Sequence, residues 1–338
     1  MRIQWLLLSG VALGLAALSF ACSDRDKGDT TVEKLFSPQN NELDVYDLKT
    51  EAKTVLIPNT VKNVNGQACS VPGTDGQFLI AEDIGQSTGA RQGWMFFEAD
   101  GTPGRKILEP VTEGEKETIE PYGCVFDKEK RLFVTDVGNE DFTGGNGKLI
   151  VFFPPDYEKY CLLTHTLTVA LTVALDDDGS VLVAQAVPPG QILRFSPPFP
   201  KDETECDTAP VNQSVFIQDP DLLTPSGIAR APNGNWYVSS VFLPTGINEY
   251  NHDGKLVRKI ISGDDIGNPQ GVAVASDGTI YYADLGLVTE PGKLPGPGDK
   301  TGTVRKVTFD AQGNARTPVI IGSGYDFPDA VSILRVKE

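Results

Sequence analysis

The sequence predicts an all-β fold, a six-bladed β-propeller closed by N- and C-terminal strands that share one blade. Three observations carry that expectation. First, Asn268 to Asp284 (N-P-Q-G-V-A-V-A-S-D-G-T-I-Y-Y-A-D) reads as a Pro/Gly lead-in, a short apolar run, an Asp-Gly turn and a β-branched and aromatic run. That is two strands joined tightly. Second, the pattern returns in Thr224 to Ser240 with Asn233-Gly234 at the turn and in Glu120 to Asp136 with Glu129-Lys130. It returns more weakly in Val169 to Gln185 and Asn65 to Asp83, with a sixth lead-in at Phe327 to Val331. Anchored on Ala68, Gly123, Thr172, Gly227, Gly271 and Ala330, the spacings are 55, 49, 55, 44 and 59 residues. A four-stranded propeller blade takes roughly 40 to 50 residues plus loops. Third, the two ends complement each other: an outer hairpin precedes the first repeat, and an inner strand follows the last.

Taken in order, Met1 to Ala21 carries Arg2, an apolar run from Trp5 to Ala17, and Leu18-Ser19-Phe20-Ala21 before Cys22. The run is too short for a membrane span and ends in small residues, as a secretion leader does. Its end resembles a bacterial lipoprotein cleavage box with Cys22 as the lipidated residue, and Ser23 after it points to the outer membrane. Ordinary cleavage near Ala21, giving a periplasmic or secreted protein, is the alternative. Residues 22–42 are expected to be a flexible tether, charged and small from Ser23 to about Lys34. The propeller is expected over residues 43–338. It opens with Leu43 to Pro58, a third strand, a turn and a fourth strand in the layout of Ile247 to Ser262. Ala330 to Val336 supplies an inner strand with almost nothing after it, so it can fill the blade the N-terminal strands begin and leave no open sheet edge.

Connections between second and third strands are the long ones: Ile84 to Gly93, Val137 to Gly147, Val187 to Gly190 and Leu285 to Gly302. They share one side with the lead-ins, because strand direction alternates. Long loops gathered over a rigid scaffold mark the working face. Ser196 to Asn212, a Pro-rich insertion containing Cys206, lies on the opposite side.

Composition narrows function. The net charge of −17 makes nucleic acid a poor partner, because phosphate binding needs a basic face. Setting Cys22 aside for lipid leaves four of the five cysteines, an even number in an exported chain. Cys69 and Cys124 hold near-equivalent places in neighbouring inner strands, and Cys161 and Cys206 fall in outer or loop segments. Pairing them in that way is favoured; buried thiols at Cys69 and Cys124 are the alternative. Two histidines, His165 and His252, cannot build a three-His metal site. Asp83, Asp136 and Asp284 recur at the end of the second strand, with Gln185 and Ser240 in the same place. A short acceptor there caps backbone N–H groups of the following loop. Asn65, Glu120, Thr224, Asn268 and Asp326 or Asp329 are expected to line the mouth of the central channel. They are either solvated there or a ring of hard oxygen ligands for Ca²⁺.

The repeated P-x-G-V-A, D-G and I-Y-Y-A-D grammar resembles the NHL-repeat propellers and the senescence-marker-protein/gluconolactonase superfamily over about residues 43 to 336. The resemblance implies a divalent metal, usually Ca²⁺, held by a Glu, one or two Asn and an Asp on channel-lining turns. Asp329 in Phe327-Pro328-Asp329-Ala330 resembles the family's P-D-G aspartate with Ala for Gly, and Glu120 and Asn268 are looser matches. The N-D-G and S-N-G-L signatures are missing, so the catalytic constellation is incomplete. The favoured expectation is therefore an anchored monomeric propeller of the cell envelope. It would bind a small molecule, glycan or protein on its loop-rich face. The alternative is a Ca²⁺-dependent lactonase or esterase with Glu120 or Asp329 as ligand or general base, and Glu120, Asn268, Asp326 and Asp329 as the metal set.

Overall fold

The computed structural model describes residues 31–39, 42–59, 63–82, 92–110, 120–138, 145–187, 190–208, 211–242, 244–289, 291 and 295–337. The leader, Cys22, Asp83 and parts of the long loops lie outside the described residues. Among the latter, the strands form six four-stranded antiparallel sheets and one two-stranded hairpin.

Blade 1 contains β1 (Thr31–Pro38), β2 (Leu43–Asp47) and β3 (Lys53–Ile57). Blade 2 is β4 (Val64–Ser70), β5 (Phe78–Glu82), β6 (Gly93–Phe97) and β7 (Pro103–Leu108). Blade 3 is β8 (Pro121–Phe126), β9 (Leu132–Asp136), β10 (Gly147–Phe152) and β11 (Tyr160–Leu167). Blade 4 is β12 (Ala170–Leu175), β13 (Val181–Gln185), β14 (Gln191–Ser196) and β15 (Asn212–Ile217). Blade 5 is β16 (Pro225–Arg230), β17 (Trp236–Ser240), β18 (Gly246–Tyr250) and β19 (Leu256–Ser262). Blade 6 begins with β20 (Pro269–Val274) and β21 (Ile280–Asp284). The hairpin of β22 (Leu287–Val288) and β23 (Gly296–Pro297) follows, and β24 (Gly302–Val307) and β25 (Val319–Tyr325) complete the blade. The last strand, β26 (Ser332–Lys337), is the inner strand of blade 1, in the order β26–β1–β2–β3.

The ring is thus closed by the two ends of the chain, as the sequence predicts, with one correction. Part of the expected tether is β1, which pairs Phe36 with Ser332 and Thr31 with Lys337, so the propeller starts at Thr31 rather than Leu43. The reason is physical. Leu35 packs toward blade 6 and Phe36 toward blade 2, so β1 is buried on both faces and shows no two-residue alternation.

The core is a set of slabs between blades rather than a single centre. Phe36, Val45 and Ile57 of blade 1 meet Phe78, Ile80 and Phe97 of blade 2, and Tyr46 meets Tyr281, Val304 and Tyr325 of blade 6. Equivalent clusters fill the other four seams. Short turns join first to second strands on one side, the turn side. Gly179, Gly234 and Gly278 adopt φ of 84°, 84° and 88° there, and Lys130 takes the same left-handed place at 63°.

Around the axis the inner strands touch. A Cβ on Gly227 would stand 2.6 Å from Val272 N, and one on Gly271 would stand 2.7 Å from Ala330 Cα. The recurrent glycine is therefore demanded by close approach of neighbouring inner strands. Both disulfides form in the expected pairing: Cys69–Cys124 joins the inner strands of blades 2 and 3, and Cys161–Cys206 joins β11 to the blade 4 insertion.

Candidate functional site

The loop side of the channel is built from the residue that follows the lead-in proline. Tyr122, Ser226, Gln270 and Asp329 occupy that place in blades 3, 5, 6 and 1, and all are buried. Strand geometry explains why: the prolines pair with the ends of the second strands, and the next residue turns to the axis. Tyr122 Oη donates toward Asp329 Oδ1 and O, both at 3.2 Å, and accepts from Gln270 Nε2 at 3.3 Å. Blade 3 thereby reaches blade 6 on the opposite side of the ring, so these side chains span the axis. Val137, Val169, Leu171 and Ala330 pack around the tyrosine ring. Lower down, Gln67 reaches past blade 3 and pairs both its amide atoms with the backbone of Val173, at 3.0 Å each.

Burial first, and the facing charge of Asp329 next, push the Tyr122 phenol well above its ordinary value. It is a hydrogen-bond donor to a carboxylate and not a base. Glu120 also acts electrostatically on Tyr122. Its backbone N–H is bound by Asp136 Oδ1 at 3.0 Å.

The other two members of the expected metal set have hydrogen-bond partners of their own. Asn268 donates its amide to Val241 O at 3.0 Å, and exposed Asp326 accepts from Lys300 N at 3.2 Å. Among the described residues, no group of three or more His, Cys, Asp or Glu is placed to hold a metal ion.

The strand-end acceptors do what a short acceptor at that position can do. Asp136 Oδ1 takes Glu120 N and Gly138 N, both at 3.0 Å, and Asp284 Oδ1 takes Asn268 N at 2.7 Å and Gly286 N at 3.0 Å. Gln185 Oε1 takes Thr168 N at 3.1 Å, and Ser240 Oγ pairs with Thr224 Oγ1 at 3.2 Å. In blade 2 the equivalent residue is Glu82, which opposes Val64 as Asp284 opposes Pro269; Asp83 is outside the described residues. Each acid also holds a cation, Glu82 with Lys106, Asp136 with Lys148 at 2.9 Å, and Asp284 with Arg305 at 2.6 Å. Lys148 is shared with Glu109 at 3.2 Å, whose carboxyl is raised chiefly by burial and then by the charge of Asp136.

On the turn side the channel widens to a cavity of about 360 Å³, lined by Val125, Phe126, Ala229, Val274 and Ile333 beside the Cys69–Cys124 bridge. On the loop side Leu223, Phe242 and Val288 stand 38%, 43% and 40% exposed.

Solved structures with the same arrangement include a protein of unknown function from Bacteroides caccae. It has a TM-score of 0.55 and 12% identity, with 90% of this chain and 99% of that one covered. A luciferin-regenerating enzyme matches at a TM-score of 0.54 and 12% identity, covering 89% and 99%. Regucalcin from Agrobacterium tumefaciens, described as a calcium-binding protein, matches at 0.51 and 14%, covering 75% and 77%. The shared architecture is the six-bladed β-propeller. At these identities the likeness is one of fold. No family model and no curated protein sequence matches the chain.

Of the residues expected at the channel mouth, Asp329 is on the axis, while in blades 3, 5 and 6 the residue after the proline stands two positions beyond the expected Glu120, Thr224 and Asn268. Tyr122 and Gln270 meet there with the expected Asp329. The signal was present in the P-x-G triplet, whose middle position varies (Tyr122, Ser226, Gln270) while its neighbours do not.

Proposed function

We propose that this propeller is a binding protein of the cell envelope, working as a monomer anchored through lipid at Cys22. It engages a small molecule, glycan or protein on its loop side. The observation that carries this reading is the closed axis: Tyr122 bonds to both Gln270 and Asp329, and the strand-end acids are engaged in holding loop backbone. Polar groups used in this way support a rigid platform, and Leu223, Phe242 and Val288 offer apolar contact above it.

The second reading is a Ca²⁺-dependent lactonase or esterase, favoured by Asp329, which is hydrogen-bonded to Tyr122 on the axis, and by the charge of Glu120, which acts on the same phenol. In it the ion would supply carbonyl polarisation. Calcium titration by calorimetry, with a lactone and aryl-ester screen run with and without chelator, separates the two. Binding without chemistry predicts no calcium heat and no turnover. Chelator-sensitive turnover that disappears in Asp329→Asn would overturn it in favour of the enzyme.

A further inference from the structure

On the turn side, where blade 1 meets blade 6, a cavity of about 790 Å³ opens between two hairpin turns. Asp47 to Thr50, joining β2 to β3, line it from blade 1, and Ala275 to Asp277, joining β20 to β21, line it from blade 6. Glu33 and Arg335 stand beside them. Tyr281 also lines the cavity, although it is only 4% exposed and its ring packs among Leu35, Tyr46 and Ala273.

The two turns fix their acids by one oxygen each. Asp47 Oδ1 accepts from Lys49 N at 3.0 Å and Thr50 N at 2.8 Å, and Asp277 Oδ1 accepts from Thr279 N at 2.8 Å. Their Oδ2 atoms have no donor among the described residues. Glu33 Oε2 takes Ser276 N at 3.0 Å and Ser276 Oγ at 2.9 Å, while its Oε1 lies 3.6 Å from Arg335 Nη2. The Tyr281 hydroxyl has no hydrogen-bond partner among the described residues. Burial first, then the charges of Asp277, Glu51 and Glu33, push that phenol up to about 12, so it is a neutral hydroxyl within reach of the same acids. Glu51 itself is held by Lys306.

A buried phenol ordinarily has a partner for its hydroxyl, and this one faces a cavity instead. The acceptors around it call for a ligand that brings N–H donors and positive charge, as an ammonium does with its three. An anion would meet three carboxylates. The cations at the rim, Lys49 and Arg335, are exposed and free to turn to solvent, and the net charge of −17 draws a cation from afar. We propose that this cavity is a site for a linear polyamine, whose terminal ammonium is received by Tyr281 Oη, Asp47 and Asp277 while Glu33 takes a second nitrogen. Its volume falls among those of small-molecule sites, roughly 300 to 1,000 Å³. The site is on the turn side, so it goes beyond the loop-side reading and stands without it.

The test is calorimetric titration of the folded chain with spermidine, a triamine, and with citrate, a tricarboxylate of opposite charge. Saturable binding of one spermidine per chain is expected, with no heat from citrate. Tyr281→Phe keeps the ring in its packing, and Asp47→Asn and Asp277→Asn keep the oxygen that holds each turn, so all three chains should fold. Each should bind spermidine about tenfold more weakly, the loss of one hydrogen bond to a charged group. Asp253→Asn removes another exposed turn acid, in blade 5, and should leave the affinity unchanged. No saturable spermidine binding overturns the proposal, as does binding that all three substitutions leave intact. An equal loss in Asp253→Asn overturns it too, because it would trace the heat to the acidic surface at large.

Discussion

Glu249 shows how a single side chain can carry both structure and a pH signature. Its Oε1 accepts from Asn233 at 3.0 Å and Asn235 at 2.7 Å, and its Oε2 accepts from Arg258 Nε at 2.6 Å, fastening the Asn-Gly turn of blade 5 to β18. Burial alone would raise this carboxyl, but those three donors outweigh it and the net shift is downward. A depressed folded value means the stabilisation is present above the unfolded value of about 4.3 and is lost as pH falls through the folded one. Glu249→Gln should therefore be less stable at neutral pH and show a shallower fall in stability below about pH 4.3. Urea midpoints measured across that window check it; parallel acid limbs in the two proteins would refute it. Residues of this kind were only half legible. The recurrence of Asp136 and Asp284 at strand ends could be read from spacing, and so could their capping chemistry. Their cations could not: Lys148 and Arg305 arrive from the third strand, which has no recurring motif.

At the scale of the element, the repeat was readable because each first strand must satisfy two demands at once. It turns sharply into the second strand, and it lies against the next blade's inner strand, which demands glycine. Gly227→Ala tests the second demand. Its Cβ would sit 2.6 Å from Val272 N and 3.0 Å from Gln270 O, both backbone atoms of β20 that cannot yield cheaply. The expected cost is about 2–3 kcal/mol, read as a lowered denaturation midpoint, whereas Gly234→Ala at the open turn should be limited to the strain of its positive φ. Equal losses at the two sites would contradict the packing argument. By contrast β1 escaped notice, because T-V-E-K-L-F-S-P has neither turn residues nor alternation. A strand held between two blades has no wet face to write into its sequence. The cysteines were legible through position: near-equivalent places in adjacent inner strands put Cys69 and Cys124 side by side, with Cα atoms 5.9 Å apart.

For the whole molecule, everything rests on two distant segments meeting in blade 1. β26 pairs with β1 along six residue pairs, from Phe36–Ser332 to Thr31–Lys337, and Ser332 Oγ also accepts from Ala68 N at 3.1 Å. Ending the chain at Val331 would strip blade 1 of its inner strand and bare an unpaired edge on β1. The shortened chain should lose cooperative unfolding and associate, and calorimetry with light scattering would show it. A sharp single transition near the full-length midpoint would mean that the ring does not depend on that strand. Closure was foreseen from the complementary ends, and its strand count in blade 1 was not.

The direction of β1 has one more consequence. Thr31 opens that strand on the turn side, and only nine residue steps separate it from Cys22, a leash of roughly 30 Å even when fully drawn out. Under the proposed anchoring, the bilayer lies beneath the short turns and the ridge of Phe242 looks outward like a dish on a stubby mast. On that proposal, a partner docking on the loop side would approach from the aqueous side.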